Sequence, residues 1–282
     1  MRLTARAPGK VNLSLFVGAP RADRLHPLVS VVQPVSLADE LTLAPAPEAP
    51  GDEVVCPGVE GPNLAGAALA AFRDATGWDG PPQRLEIVKR VPVAAGMGGG
   101  SGDAAAALRL IAAAAGGAPA ELLLELAVAL GADVPSQVAP GRVLMTGAGE
   151  HVHRLPGAAP FGLVIVRSEH ALSTPAVYRE FDRLGGGRPV GELERRAAAA
   201  LAGEPPPPVN DLQDAARSLC PPIDAALARV RAVGATAAMV SGSGPAVFGL
   251  FPDARAAATA AAALGAIAAA PVGADFGRVR AA

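Results

Sequence analysis

Cysteine is scarce in this sequence, and its scarcity argues against two classes of protein. Cys56 and Cys220 are the only two among 282 residues, which is too few for a disulfide framework or a structural zinc site. Isolated thiols are typical of proteins kept in a reducing compartment, so a cytoplasmic location is expected.

Excess positive charge and long apolar runs are also lacking. The formal net charge is −2 and basic residues form no run, so a nucleic-acid partner is not expected. The N-terminal residues lack the apolar run of a signal peptide, and no stretch of about 18 apolar residues is free of Gly, Pro and charge. A membrane partner is therefore not expected either.

Aromatic residues make up only 3% of the chain, whereas hydrophobic residues make up 51%. The core must therefore be built mainly from Ala, Val and Leu. A chain of 282 residues is long enough for one large or two ordinary domains.

Lysine is rare as well, because Lys10 and Lys89 are the only lysines among 24 basic side chains. Lys10 stands at the start of a predicted strand, where its compact charge could bridge phosphate oxygens. An ordinary exposed lysine at a strand edge is an equally good interpretation of that position. Asn12, two residues further, shares the face of Lys10 if the strand is regular.

Glycine, in contrast, is concentrated in one loop, where Met97 and Ser101 alone interrupt Gly96–Gly102. The segment 84–91 before it alternates polar and apolar residues like a strand, and the Ala-rich segment 103–115 after it predicts a helix. A glycine loop at a helix start can aim several N–H groups at one phosphate. The loop fits neither a P-loop nor a dinucleotide fingerprint, so another kind of phosphate loop and a flexible turn both remain open.

Three polar positions outside this loop are further candidates. Asp133 precedes Val-Pro, so it could cap a helix, and it is equally well placed to accept a proton from a substrate hydroxyl. His26 lies in the polar loop 20–27 and could donate to a ligand, although a lone loop histidine is more often solvated. His151 and His153 share one strand face without a third ligand, so no metal site is expected.

The remaining pattern predicts many short elements. The predicted strands are 2–7, 11–17, 29–36, 39–43, 53–56, 161–166, 235–240 and 246–251, the last two forming a hairpin-like pair around the glycine turn 241–245. The predicted helices are 63–76 and 119–130, one that opens at Ser173, and one that restarts at Asn210 after a spacer of four prolines.

Three separated stretches need one explanation. They are APGKVNL at 7–13, the glycine loop with its leading Pro92, and SGSGPAVF at 241–248. In this order and spacing they resemble the three motifs of the GHMP small-molecule kinases, and the resemblance covers nearly the whole chain. Further matches narrow it to members that act on a diphosphocytidyl derivative of a sugar alcohol. They are RADxxH at 21–26, GADVP at 131–135 and NDL at 210–212.

The resemblance implies an α+β fold of two domains. Residues 1–150 would form an ATP-binding domain similar to domain 2 of ribosomal protein S5, and residues 151–282 a ferredoxin-like domain. The implied activity is phosphorylation of a small-molecule alcohol in the cleft between them, with ATP and Mg²⁺ as cofactors. A monomer or a weak homodimer is expected.

The resemblance also implies roles for particular residues. Asp133 would accept the hydroxyl proton, and Lys10 would steady both Asp133 and the charge that develops on the transferring group. The ATP phosphates would lie against Pro92, Gly96, Gly98, Gly99, Gly100, Ser101 and Gly102, with Ser101 the candidate for Mg²⁺. The cytidyl substrate would contact Asn12, His26, Tyr178, Ser241 and Gly242, with Tyr178 stacking on the base.

Two positions depart from the family pattern. Arg24-Leu25 stands where the family usually has Gly-Tyr, so one aromatic platform for the base is missing. Gly102 replaces the second serine of the glycine loop, which predicts the loss of one hydroxyl near the phosphates.

Three other functions would account for part of the same pattern. A kinase for another alcohol, such as homoserine or mevalonate, would share the three motifs but not the RADxxH loop and GADVP. A catalytically silent nucleotide-binding sensor would be expected to lack Lys10 or Asp133, and both are present. A structural protein with glycine-rich turns leaves the register of the three motifs unexplained.

Overall fold

The computed structural model describes residues 1–157 and 160–282. The strands are β1 (Leu3–Val17), β2 (Leu28–Pro45), β3 (Glu53–Val55), β4 (Gln83–Val88), β5 (Val143–Thr146), β6 (His151–Arg154), β7 (Gly162–Val166), β8 (Ala237–Val240), β9 (Val247–Phe251), β10 (Ile267–Ala269) and β11 (Arg280–Ala281). The helices are α1 (Leu64–Thr76), α2 (Gly99–Ala114), α3 (Ala120–Leu130), α4 (Val134–Val138), α5 (Thr174–Arg183), α6 (Val190–Leu201), α7 (Gln213–Leu219), α8 (Pro222–Ala232) and α9 (Ala254–Leu264), with a 3₁₀ turn at Ala274–Gly277.

The first sheet is organised by two long antiparallel strands, β1 and β2. Its order is β11-β1-β2-β4-β3, and the hairpin β5–β6 pairs with another part of β2. Each long strand was predicted as two short ones. Both strands are continuous in the structure. In β1, Pro8 and Gly9 lie at a register shift between Pro8 and Lys10, where a proline needs no ladder hydrogen bond.

One face of this sheet is covered by helices α1 to α4. Leu41, Leu85 and Phe72 are fully buried with Leu108 and Ile111 of α2. The alanines of α2 let the helix lie close to β1, as the composition predicts. The helix begins at Gly99, four residues before the predicted start, so the last glycines of the loop are its first turn.

The second sheet has the order β10-β7-β9-β8, all antiparallel. Helices α8 and α9 pack against it, and the predicted hairpin of β8 and β9 is confirmed. Buried residues of both sheets, among them Val11, Phe16, Ile165 and Phe248, form one continuous apolar cluster. The fold therefore has the predicted α+β class and two sheet layers joined by a shared core.

The strands show where the chain passes from one sheet to the other. His151–Arg154 pairs with β5 in the first sheet, just past the predicted boundary at residue 150. The chain returns at its end, where Arg280–Ala281 pairs with β1. Among the described residues, no helix combines the length and apolar character that crossing a membrane requires.

Candidate active site

The glycine loop is held against β1 and ends in the first turn of α2. The Lys10 N–H donates to the Met97 carbonyl at 2.8 Å. Gly98 adopts φ +66°, and a Cβ atom there would lie 3.1 Å from Cγ of Lys10, so glycine lets the loop cover the lysine stem. The N–H groups of Gly99 to Ser101 lie in the first turn of a helix of 16 residues, where they have no intrahelical acceptor.

Lys10 is a buried cation beside this helix start. Its side chain is 5% exposed and its Nζ lies 3.5 Å from Oδ2 of Asp133, which is 39% exposed. Nζ also donates to Oδ1 of Asn12 at 2.9 Å, and Asn12 in turn donates to Oγ of Ser30 at 2.7 Å. The predicted common face of Lys10 and Asn12 is therefore observed, and Lys10 is not an exposed edge residue.

The sequence predicts equally a helix cap or a base at Asp133. Its backbone is helical, with φ −86° and ψ −17°, and within the described residues its side chain makes no capping hydrogen bond. The carboxylate instead faces Lys10. Asp133 thus stands at the predicted N-cap position of α4, with Pro135 in the first turn, but its carboxylate forms no capping bond among the described residues and is left available for chemistry.

Arg109 supports the helix that follows Asp133. This half-buried guanidinium from α2 donates to the Gln137 carbonyl at 2.6 Å, the Val138 carbonyl at 3.2 Å and the Arg6 carbonyl at 3.1 Å. Burial lowers the pKa of Arg109 to about 10. One side chain thereby connects helix α2, the end of α4 and the strand that bears Lys10.

Arg109→Met is expected to lower the free energy of unfolding by about 2–4 kcal/mol, because three carbonyl oxygens lose a charged donor. Urea unfolding would measure the change. Arg229→Met is the matched control, since Arg229 is exposed and donates to one carbonyl, that of Leu264. Equal losses in the two variants would show that Arg109 has no special role.

His26 and Tyr178 meet at the other end of the site. The ring of His26 is 8% exposed, its Nδ1 hydrogen bonds to the Gly18 carbonyl at 2.8 Å, and its Nε2 lies 3.4 Å from Oδ1 of Asp182. The centroids of the His26 and Tyr178 rings are 5.0 Å apart. Burial, with a smaller contribution from the negative charge of Asp133, raises the pKa of Tyr178 to about 12.

The turn between β8 and β9 closes the site from the second sheet. Oγ of Ser241 donates to the Gly96 carbonyl at 3.0 Å. A Cβ atom at Gly242 would lie 3.0 Å from that same carbonyl and 3.3 Å from Nζ of Lys10, so the turn touches both the loop and the lysine. Asn210 fixes the turn by donating to the carbonyls of Val240 and Gly242, both at 2.8 Å.

These parts line one cavity of about 1140 Å³, enough for two ligands of moderate size. The predicted site residues on its wall are Lys10, Asn12, His26, Pro92, Gly96, Gly98, Gly99, Gly100, Ser101, Asp133, Tyr178 and Gly242. Two predicted residues lie behind the wall. Ser241 is 1% exposed and bonds to the loop backbone, so its side chain supports the loop rather than facing a ligand.

Gly102 is the other predicted residue behind the cavity wall. A Cβ atom there would lie 3.1 Å from the Pro8 carbonyl oxygen. A serine at this position would face β1, so the predicted loss of a hydroxyl near the phosphates is wrong. Glycine at 102 instead permits close packing of α2 on β1.

Sequence reasoning missed several supporting residues. The NDL segment was interpreted as a helix start and a family marker only, although Asn210 holds the turn at Gly242 and Asp211 accepts the Val17 N–H at 2.9 Å. Thr174 and Ser243 hydrogen bond to each other at 2.9 Å across the cavity wall. For Thr174, Asn210 and Asp211, the polar residue type beside a helix start is the one signal in the sequence; Ser243 lies in the glycine turn, where no such signal exists.

A glycine loop at the start of a long helix and a lysine–carboxylate pair in a cleft between two sheets are the arrangement that a phosphotransferase site requires. Residues 63–141 match the family model of the GHMP kinases N terminal domain, and residues 183–270 match that of GHMP kinases C terminal. The chain belongs to the GHMP kinase family, as the three motifs predict.

Comparison with individual relatives narrows the resemblance to one kind of kinase within the family. A 4-diphosphocytidyl-2-C-methyl-D-erythritol kinase of Streptomyces coelicolor is 44% identical over 275 residues, which cover 91% of this chain and 90% of the relative. A kinase of the same name from Moorella thermoacetica is 39% identical and covers 89% and 90%. The chain is thus similar to these kinases over nearly its whole length, and the predicted kinase class is confirmed.

Solved structures of kinases match the fold of this chain. A crystal structure of 4-(cytidine 5'-diphospho)-2C-methyl-D-erythritol kinase matches with a TM-score of 0.80 and 34% identity, covering 96% of this chain and 99% of that one. A mevalonate kinase of L. major matches with a TM-score of 0.70 at 16% identity, covering 96% of both chains, which shows a shared fold alone.

Proposed function

We propose that the protein transfers the γ-phosphoryl group of ATP to the 2-hydroxyl of 4-diphosphocytidyl-2-C-methyl-D-erythritol, a step of the non-mevalonate route to isoprenoid precursors. The observation that supports this most directly is the pair of Lys10 Nζ and Asp133 Oδ2, 3.5 Å apart beside the free N–H groups of the loop. Phosphoryl transfer needs little covalent help, so positioning, one base and charge neutralisation suffice.

Asp133 accepts the proton of the substrate hydroxyl as that oxygen attacks the γ-phosphorus. Lys10 remains charged beside it and offsets the negative charge that spreads over the phosphoryl oxygens. Asn12 keeps Nζ of Lys10 in place through its Oδ1. Because Asp133 makes no capping bond within the described part of the chain, taking up a proton there costs no helix contact.

ATP and the cytidyl substrate share the cavity. The phosphates of ATP bind Pro92, Gly96, Gly98, Gly99, Gly100 and Ser101, and its nucleoside rests on the apolar wall formed by Val59, Pro62 and Leu64. The cytidyl group binds at His26 and Tyr178, whose ring offers a stacking face. Asn12 and Gly242 contact the substrate between these two ends.

Mg²⁺ accompanies ATP and adds positive charge at the phosphates. Groups of three or more His, Cys, Asp or Glu that could hold a metal are absent from the described residues. This fits Mg²⁺, which usually keeps several waters and is bound largely through phosphates. Among the protein groups, the Ser101 hydroxyl in the first turn of α2 would supply an oxygen.

The division into two domains near residue 150, with β6 (His151–Arg154) on the side of the first domain, the monomeric or weakly dimeric state and the cytoplasmic location belong to the same proposal. One chain supplies every residue assigned above, so no second copy is required for the cavity. Both cysteines are free thiols, which fits a reducing compartment.

Product analysis tests the site of phosphorylation. After incubation with Mg-ATP and the cytidyl alcohol, phosphorus and carbon NMR are expected to place one new phosphate on the 2-hydroxyl. A phosphate on another hydroxyl would contradict the assigned reaction, even if the fold and the ATP site are correct.

Leu25→Tyr is expected to lower the KM for the cytidyl substrate by about 5-fold, because a base–aromatic stack contributes roughly 1–3 kcal/mol. Leu25 lines the cavity and is 52% exposed, so a larger ring has room. Leu184→Tyr is the matched control, since Leu184 is 49% exposed at the end of α5 and is not among the residues that line the cavity. An unchanged KM in Leu25→Tyr would show that Tyr178 alone meets the stacking need.

A further inference from the structure

Three charged side chains meet beneath the glycine loop and have no part in the chemistry described above. Asp39 of β2 is fully buried, Asp103 of α2 is 3% exposed, and the side chain of Lys89 is 14% exposed. Lys89 lies close under the loop, since a Cβ atom at Gly99 would be 3.3 Å from its Nζ. Burying charged groups costs free energy even when they are paired. A role for this cluster is therefore sought in what its members contact.

The cluster ties both ends of the loop to the first sheet. Oδ1 of Asp39 accepts the N–H groups of Arg90 and Val91, at 2.5 and 2.8 Å, where the chain leaves β4 for the loop. Lys89 Nζ donates to Oδ2 of Asp39 at 2.5 Å and to Oδ2 of Asp103 at 2.7 Å. Asp103 is the fifth residue of α2, so Lys89 links the end of the loop to its beginning.

Asp103 has the least complete hydrogen bonding of the three side chains. Its Oδ1 is buried without a hydrogen-bond partner in the part of the chain that the structure describes, whereas both oxygens of Asp39 are bonded. Burial raises the pKa of Asp103 to about 7, with Lys89 acting in the opposite direction and the charge of Asp39 adding to the rise. The bond between Lys89 and Asp103 is therefore stronger above about pH 7, where Asp103 is ionised, than below it.

We propose that Asp103 is a positioning residue for ATP: its carboxylate, acting through Lys89, holds the first turn of α2 so that the loop N–H groups are ordered before the phosphates bind. This rests on the proposed ATP site. Lys89, which is shared with Asp39, offsets part of the charge of the Asp103 carboxylate at 2.7 Å, so the repulsion of the phosphates is reduced. An ordered loop binds more tightly because less conformational freedom is lost on binding.

Asp103→Asn tests this, because it keeps the shape and removes the charge. The KM for ATP is expected to rise about 5- to 20-fold, while kcat and the KM for the alcohol change by less than about 2-fold. A merely structural role would change all three together or only the melting temperature. An unchanged or lower KM for ATP would overturn the proposal, and a lower value would show that the charge repels ATP.

The pH dependence is a second readout. Below about pH 7 Asp103 is protonated and bonds to Lys89 weakly; above it the ionised carboxylate binds Lys89 strongly. The ratio of the KM for ATP in the variant to that in the wild type is therefore expected to rise between pH 6 and pH 8. The ionisation of ATP itself is the same in both assays and cancels in the ratio. A flat ratio contradicts the proposal.

If Asp103→Asn fails to fold, the wild-type protein still decides the matter. Calorimetric titrations with Mg-ATP near pH 7, in buffers of different ionisation enthalpy, are expected to show net proton release, since ATP favours the ordered, ionised state. Binding without proton release would overturn the role of Asp103 and leave the ATP site intact. No ATP binding at all would instead contradict the proposed function.

Discussion

Asp133→Asn is expected to lower kcat by about 10²- to 10⁴-fold, the contribution that a positioned general base usually makes. The substitution keeps the size of the side chain and the helix start, because no capping bond of Asp133 is lost among the described residues. Only proton acceptance and the ion pair with Lys10 disappear. Steady-state kinetics would measure kcat, and calorimetry would check that ATP still binds.

Asp182→Asn is the matched control for this experiment. Asp182 is also a partly exposed carboxylate on the wall of the same cavity, at 41%, but it lies beside His26 rather than Lys10. Its kcat is expected to stay within about 3-fold of the wild type, since a lost binding contact acts mainly on KM. Comparable losses of kcat in both variants would contradict the assignment of Asp133 as the base.

Gly96→Ala is expected to have the largest effect on the architecture of the site. Gly96 has φ +72°, and a Cβ atom there would collide with the Ser241 carbonyl and lie 2.8 Å from the Gly244 nitrogen. Overpacking and backbone strain together are expected to lower the free energy of unfolding by about 3 kcal/mol. Misplacement of the loop is expected to lower kcat/KM by about 10²-fold or more.

Gly100→Ala provides the contrast within the same loop. A Cβ atom at Gly100 meets no atom of the described residues within 4 Å, and the residue lies in the first turn of α2. Alanine there is expected to leave the free energy of unfolding unchanged or to raise it by about 0.5–1 kcal/mol. Thermal and urea unfolding of both variants would measure the difference. Equal stability of the two would show that the loop does not press against the turn of the second sheet.

The residues to which we assign the chemistry could be predicted from the sequence, because they occur in short motifs. Lys10, Asp133 and the glycine loop were all found in this way, and the structure brings them to one cavity. Local pattern also predicted most elements of the second sheet. It could not show that β1 runs unbroken through Pro8 and Gly9, since that depends on pairing with β2.

The supporting residues could not be found in the same way, because their partners are distant in sequence. Asp39 bonds to Arg90 and Val91, and Arg109 bonds to the carbonyls of α4 and β1. The periodicity of apolar residues along a helix or strand does not predict such distant contacts. Gly102 misled for a related reason: its orientation follows from α2 beginning at Gly99, and glycine-rich sequence predicts a helix start poorly.

The most direct test of the account is ADP release by the wild-type protein with Mg-ATP and 4-diphosphocytidyl-2-C-methyl-D-erythritol, homoserine or mevalonate as the alcohol. The structure combines a glycine-rich helix start, the pair of Lys10 and Asp133, and the adjacent rings of His26 and Tyr178. Turnover is therefore expected with the cytidyl alcohol alone. Turnover with homoserine or mevalonate instead, or ATP binding with no turnover on any of the three, would contradict it.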